Sequence, residues 1–192
     1  MAEEWTLFYW AAKSAGRAEF VRLLFEEAGV KYKEDNEDTL GKFFQGKIGS
    51  FQLSQTPVIC RYLGKEFGLF PDKFEDEWHA EQFNLTLHDY IAEGRNSFHG
   101  INLIASYFTQ EEETKPYIER FVKDRIPRYL KHFEQVLSLN NNGQGFVFGN
   151  KLTYVDLGLL HVLRATEAQF PDTWKEADYI PNLKAFQGKN RD

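Results

Sequence analysis

Three short stretches hold the residues best suited to chemistry. In Leu53-Ser54-Gln55-Thr56-Pro57-Val58-Ile59-Cys60, an apolar run gives way to polar residues, a proline and the apolar side chains of a helix. Thr56 is placed to cap that helix. Pro57 suits its first position, because the N–H it lacks would have had no intrahelical partner. A helix start of this kind presents backbone N–H groups beside the side chains of Gln55 and Thr56, which favours a carboxylate or a phosphate. An ordinary strand-to-helix turn has the same composition. The second stretch is Leu7-Phe8-Tyr9-Trp10. On its own, a tyrosine beside a tryptophan there reads as a core or rim aromatic. The third is Leu152-Thr153-Tyr154-Val155-Asp156, where Thr153 and Asp156 have the spacing of a capping box with Asp in the usual Glu position. That pair is structural, a buried helix start worth about 1–2 kcal/mol.

The other reactive residue types point nowhere in particular. The five histidines (79, 88, 99, 132 and 161) form no metal-binding pair at helical spacing, so no metal is expected. Cys60 is the single cysteine; it excludes an internal disulfide and reads as a packing residue. Without Cys-x-x-Cys, a thiol–disulfide oxidoreductase is disfavoured.

The elements that must position these residues fall into two patterns. Thr6–Trp10 has strand character, and Gly16-Arg17 opens a helix with the apolar face Phe20, Val21, Leu24, Phe25 and Ala28. Gly29 stands where a helix C′ residue belongs, and Val30-Lys31-Tyr32 is the next strand. Strand, helix, strand implies two parallel strands joined through a crossover. Residues 34–50 are loop-like, Phe51-Gln52-Leu53 reads as a further short strand, and residues 57–67 as a helix stopped by Gly68. The boundary is expected near 71–75, giving domains over 1–71 and 75–192. Beyond it the pattern is helical: one long helix over 75–108 with Trp78, Phe83, Leu87, Tyr90, Ile91 and Phe98 as burial candidates, and another over 114–139. Gly94 and Gly100 suggest a bend or close packing in the first, and Pro127 a kink in the second. The stripe of the second is Ile118, Phe121, Val122, Ile126, Leu130, Phe133 and Leu137.

Composition sets the class. The 192 residues are 42% hydrophobic and 27% charged, the balance of a soluble globular protein, and aromatics make up 16%. A net charge of −6 argues against nucleic acid as the main partner. The acidic start Met1-Ala2-Glu3-Glu4 lacks the apolar region of a secretory signal, and no run is long enough to span a membrane. With one cysteine, this implies a cytoplasmic protein.

Four features, in this order, carry a resemblance: Leu7-Phe8-Tyr9-Trp10; Gly16-Arg17-Ala18-Glu19-Phe20-Val21-Arg22-Leu23-Leu24; Leu53-Ser54-Gln55-Thr56; and Leu152-Thr153-Tyr154-Val155-Asp156. Together with an all-helical second half, they make the chain resemble the tyrosine-type cytosolic glutathione transferases, the group of the sigma, mu, pi and alpha classes. The resemblance implies a thioredoxin-like α/β domain with a reduced sheet, followed by an all-α domain that supplies most of the pocket for an electrophile. It implies conjugation of the thiol of reduced glutathione, a co-substrate, to hydrophobic electrophiles by a homodimer, with no other cofactor. Tyr9 matches the tyrosine that donates to the glutathione sulfur. A free thiol has a pKa near 8.5, and a hydrogen bond to a charged group is worth roughly 1.5–3 kcal/mol, or about one to two pKa units. One phenol therefore suffices to make thiolate the main species near neutrality. Gln55 and Thr56 match the pair that holds the γ-glutamyl end, and Arg17 matches a basic residue near it. Lys47 can reach the glycyl carboxylate, or else is a solvated surface lysine.

The chain also departs from that family. No proline lies between Met1 and Pro57, where the family enters a third strand through a cis-proline. About a dozen residues, a strand and its connection, are expected to be absent between Gly46 and Phe51. Two lost backbone hydrogen bonds to glutathione would weaken binding by on the order of 1–3 kcal/mol. The chain ends at Gln187–Asp192, where the family continues with a further helix, and Glu93-Gly94-Arg95-Asn96-Ser97 leaves the family's acidic contact from the partner subunit in doubt. Either the missing segments are disordered or spliced out of this chain, or this is a pared-down variant with weakened activity. The lost strand raises a second reading, a non-catalytic module of the same fold serving as scaffold, structural protein or carrier of apolar ligands; retention of Tyr9, Gln55 and Thr56 lowers it.

Overall fold

The computed structural model describes residues 5–9, 15–36, 51–103 and 105–189, in two compact units that meet between Phe70 and Pro71. The expected positions 37–50, with Lys47 and the site of the missing strand, lie outside the described residues, as do the last three.

In the first unit, strand β1 (Trp5–Phe8) pairs in parallel with β2 (Tyr32–Asp35), Trp5 opposite Tyr32 and Phe8 opposite Asp35. Helix α1 (Glu19–Glu27) connects them, burying Phe20, Val21, Leu24 and Phe25 at helical spacing. Its end is a Schellman turn: the Val30 N–H donates to the Phe25 carbonyl (2.9 Å) and the Gly29 N–H to that of Glu26 (3.0 Å), with Gly29 at φ +64°. Both strands form as a parallel pair, each displaced from its expected limits.

The strand expected at Phe51-Gln52-Leu53 does not form. A strand exists through its neighbour, and among the described residues no third strand lies beside it. Phe51 instead rests against Tyr62 (ring centroids 5.2 Å apart) and is 63% exposed. Helix α2 (Thr56–Glu66) follows and packs against α1. Trp5, Phe25 and Phe67 form one aromatic cluster between these elements, with centroid separations of 5.8–5.9 Å.

The second unit is helical. Helix α3 (Phe74–Phe98) is shorter than the expected 75–108. Residues beyond it turn back on themselves: the Gln110 side chain accepts from the Asn102 N–H (3.0 Å) and donates to the Asn102 carbonyl (2.9 Å). His99 bonds the Ala105 carbonyl. These non-local bonds satisfy backbone groups that a longer helix would have used. Phe83, Leu87 and Tyr90 are buried as expected, Ile91 and Phe98 are half-buried, and Trp78 is exposed at 59%. Trp78 touches Phe74 edge-on, and both point away from the core.

The second expected long helix divides into α4 (Glu111–Arg120), a π-helical turn at Phe121–Arg125, and α5 (Ile126–Leu139). Pro127 has no N–H to return to the preceding turn, and the wider π turn accommodates it. Phe121, Ile126, Leu130, Phe133 and Leu137 are buried; Ile118 and Val122 are half-buried. A Cβ on Gly94 would meet the Phe121 ring at 3.4 Å, so this glycine lets α3 and the π turn approach closely. Helix α6 (Tyr154–Gln169) is buried almost throughout and packs on α3, α7 (Pro171–Glu176) and α8 (Pro181–Lys189).

The capping box forms at the start of α6. The Asp156 carboxylate accepts from the Thr153 N–H (2.8 Å), the Thr153 hydroxyl (2.7 Å) and the Val147 N–H (2.7 Å). Burial pushes its pKa up to about 6 against the opposing pull of these bonds.

Candidate active site

Tyr9 follows directly on β1, and its N–H continues the ladder to the Asp35 carbonyl (3.2 Å). Its hydroxyl oxygen accepts a hydrogen bond from the Arg17 backbone N–H at 3.0 Å. A phenol can accept and donate at once, so an oxygen that takes a hydrogen bond from an N–H keeps the capacity to donate its own hydrogen. The contact needs Gly16. That residue has φ +51°, and a Cβ built on it would lie 2.5 Å from the Tyr9 oxygen. Arg17 thus meets Tyr9 through its backbone, where the sequence suggested a role for its charge.

Beneath this pair lies an ionic group that the sequence reading passed over. Arg22, on α1, grips Glu34 of β2 with two hydrogen bonds (Nε to Oε2, 3.0 Å; Nη2 to Oε1, 2.6 Å). Its Nη1 also donates to the Ala15 carbonyl and to Glu19, both at 3.1 Å. The guanidinium carbon sits 5.8 Å from the centroid of the Tyr9 ring. Arg22 holds the Glu34 carboxyl below the usual carboxylate range, and Glu34 in turn raises the pKa of Arg22. The Glu19–Arg22 spacing of three was a local signal. The Glu34 partner, reached across the crossover, left none.

Gln55 and Thr56 form a second group at the start of α2. The cap is displaced by one residue from expectation: Gln55 is the N-cap, Thr56 the first helical residue and Pro57 the second. The reason is in the backbone. Val58 and Ile59 both donate to the Gln55 carbonyl, at 2.9 and 3.1 Å. Gln55 itself stands at φ 69°, ψ 102°, a conformation costing of order 1–3 kcal/mol outside glycine. Among the described residues no side chain caps this end. The Thr56 N–H and hydroxyl, with the exposed Gln55 amide, are the groups it offers to an anion. Among the described residues no cluster of three or more His, Cys, Asp or Glu could hold a metal ion, and no helix is long and apolar enough to cross a membrane.

Comparison with known proteins bears on both units. Residues 98–190 match the family model described as glutathione S-transferase, C-terminal domain. Glutathione S-transferase P 1 of Xenopus laevis is 30% identical over 164 residues, which cover 78% of this chain and 71% of the relative. A glutathione S-transferase of Plasmodium falciparum is 28% identical over 207 aligned positions, covering 96% and 89%. That alignment is longer than the 192 residues of this chain, so the relative carries residues with no counterpart here. The solved pi-class glutathione S-transferase of Onchocerca volvulus has the same fold at 20% identity, with a TM-score of 0.78, covering 99% of this chain and 88% of its own. The small parallel sheet with its helices is thus a thioredoxin-like unit, and the second unit is the helical domain that accompanies it. The chain belongs to the glutathione S-transferase family of enzymes.

Proposed function

We propose that this protein conjugates the thiol of reduced glutathione to hydrophobic electrophiles, with Tyr9 donating its hydroxyl hydrogen to the glutathione thiolate. The single observation that carries this reading is the 3.0 Å bond from the Arg17 N–H to the Tyr9 oxygen, which aims a phenol at the end of a strand. The bond also polarises the phenol, making it a stronger donor. No metal or organic cofactor is needed: lowering the thiol pKa by one to two units supplies the nucleophile.

In this reading residues 1–71 bind the tripeptide and residues 75–192 supply most of the electrophile pocket. Gln55 and Thr56 hold the γ-glutamyl end at the uncapped start of α2, Arg17 lies near it, and Lys47 reaches the glycyl carboxylate. The protein works in the cytoplasm as a homodimer. The exposed Phe74, Trp78 and Leu85, spaced by four and seven residues along α3, form an apolar stripe suited to a second copy.

The test is Tyr9→Phe. Retention on immobilised glutathione should persist, while conjugation of chlorodinitrobenzene falls at least tenfold. Unchanged turnover would remove Tyr9 from the mechanism. A wild-type chain that neither binds glutathione nor turns over would favour the scaffold reading.

A further inference from the structure

We infer that Arg22 is a positioning residue for the thiolate chemistry, setting the direction of the Tyr9 hydroxyl; the inference rests on the role proposed for Tyr9. Among the described residues the guanidinium links β2, the turn at Ala15 and the face of the Tyr9 ring. Through Glu34 it holds β2, which pairs with β1 immediately before Tyr9. Through the Ala15 carbonyl it holds the turn that carries Gly16 and the Arg17 N–H. Its face approaches the Tyr9 ring directly. With its amide turned to face its acceptors, Asn36 adds a further tie, donating to the Tyr9 carbonyl (3.1 Å) and to Glu34 (3.2 Å).

The geometry favours positioning over binding. Arg22's side chain is only 17% exposed, and its donors are engaged by two carboxylates and a carbonyl, so it is occupied within the fold. A planar fork reaching Glu34 and Ala15 at once is a task for arginine; the single ammonium of lysine cannot span both. Loosening this anchor lets the turn at residues 15–17 drift and takes the Arg17 N–H away from the phenol oxygen. A displaced donor stabilises the thiolate less, while the peptide-binding groups at Gln55 and Thr56 are untouched.

The experiment is a double-mutant cycle on the full chain with glutathione and chlorodinitrobenzene. Arg22→Met should raise the apparent pKa of the bound thiol by about one unit, read from thiolate absorbance against pH. It should lower kcat/KM at pH 6.5 about tenfold, since one pKa unit below the titration is a tenfold loss of thiolate. The KM for glutathione should change less than about threefold, the loss falling on kcat. Arg22→Lys should not restore activity. In the Tyr9→Phe background the Arg22→Met change should cost less than about twofold, because the hydroxyl through which it acts is gone.

A tenfold loss persisting in that background, or an unshifted thiol pKa with lowered stability alone, would overturn the inference while leaving Tyr9 in place. Full turnover in Tyr9→Phe alone would instead remove the reading beneath it. Should Arg22→Met fail to fold, Glu34→Gln carries the test: the thiol pKa should move in the same direction, with about a threefold loss, and an unchanged profile would overturn the inference.

Discussion

Replacing Gly16 by alanine tests the geometry around Tyr9 with one methyl group. The added carbon would lie 2.5 Å from the phenol oxygen, where ordinary contact begins near 3.4 Å, so the hydroxyl must withdraw by about 0.9 Å. Withdrawal breaks the bond from the Arg17 N–H, worth roughly 0.5–1.5 kcal/mol. Alanine at φ +51° costs about 1 kcal/mol more than glycine. The stability loss should therefore be about 2 kcal/mol, measured by urea unfolding. The effect on turnover should be larger, because a misplacement near 1 Å in a reacting group can cost on the order of a hundredfold. Conjugation of chlorodinitrobenzene at saturating glutathione should fall about 10- to 100-fold. Gly29→Ala is the control: Gly29 has a similar φ of +64°, but a Cβ there meets nothing within 4 Å. It should lose about 1 kcal/mol and keep its turnover. If Gly16→Ala loses no more stability than Gly29→Ala and conjugates at the wild-type rate, the argument for an aimed phenol is wrong.

Two further outcomes are expected. Asp156 titrates near 6 in the folded chain and near 3.8 when unfolded, so as pH rises between these values the unfolded chain releases its proton first. This group therefore subtracts stability with rising pH, up to about 3 kcal/mol, with no further change below about pH 3.8 or above about pH 6. The difference in unfolding free energy between wild type and Asp156→Asn should change across that window and be flat outside it; a difference independent of pH would contradict the assigned burial effect. On the surface, Trp78→Glu should weaken self-association about 50-fold or more, the loss of one large apolar contact plus a buried charge, as read by sedimentation velocity. Self-association unchanged in this variant would place the proposed contact elsewhere.

Some of this architecture is written in short-range patterns. The apolar face of α1, the Gly29 turn and the Thr153–Asp156 box all depend on residues within a few positions of one another, and all three form. So does the stripe from Ile126 to Leu137, because a period of 3.6 is a property of the helix itself. Gln55 and Thr56 stand out locally as a helix start, whereas Tyr9 and Arg17 are candidates only through the family resemblance that their motifs carry.

Contacts between distant segments decided the rest. Helix α3 stops at Phe98 because Gln110 and His99 bind the returning backbone, which no window around residue 98 could show. Residues 51–53 have strand composition, yet a strand requires a partner, and none lies beside them among the described residues. Trp78 has the character of a core residue and faces outward, since burial depends on what packs against a helix face. The same holds at the site. That Arg17 acts through its N–H, that Gly16 admits the phenol, and that Arg22 ties Glu34 to the turn beneath Tyr9 follow only from chain segments brought together by folding. Local sequence determines which elements can form; the three-dimensional packing alone determines which atoms face one another, because hydrogen-bond and contact energies decay within a few ångströms regardless of separation along the chain.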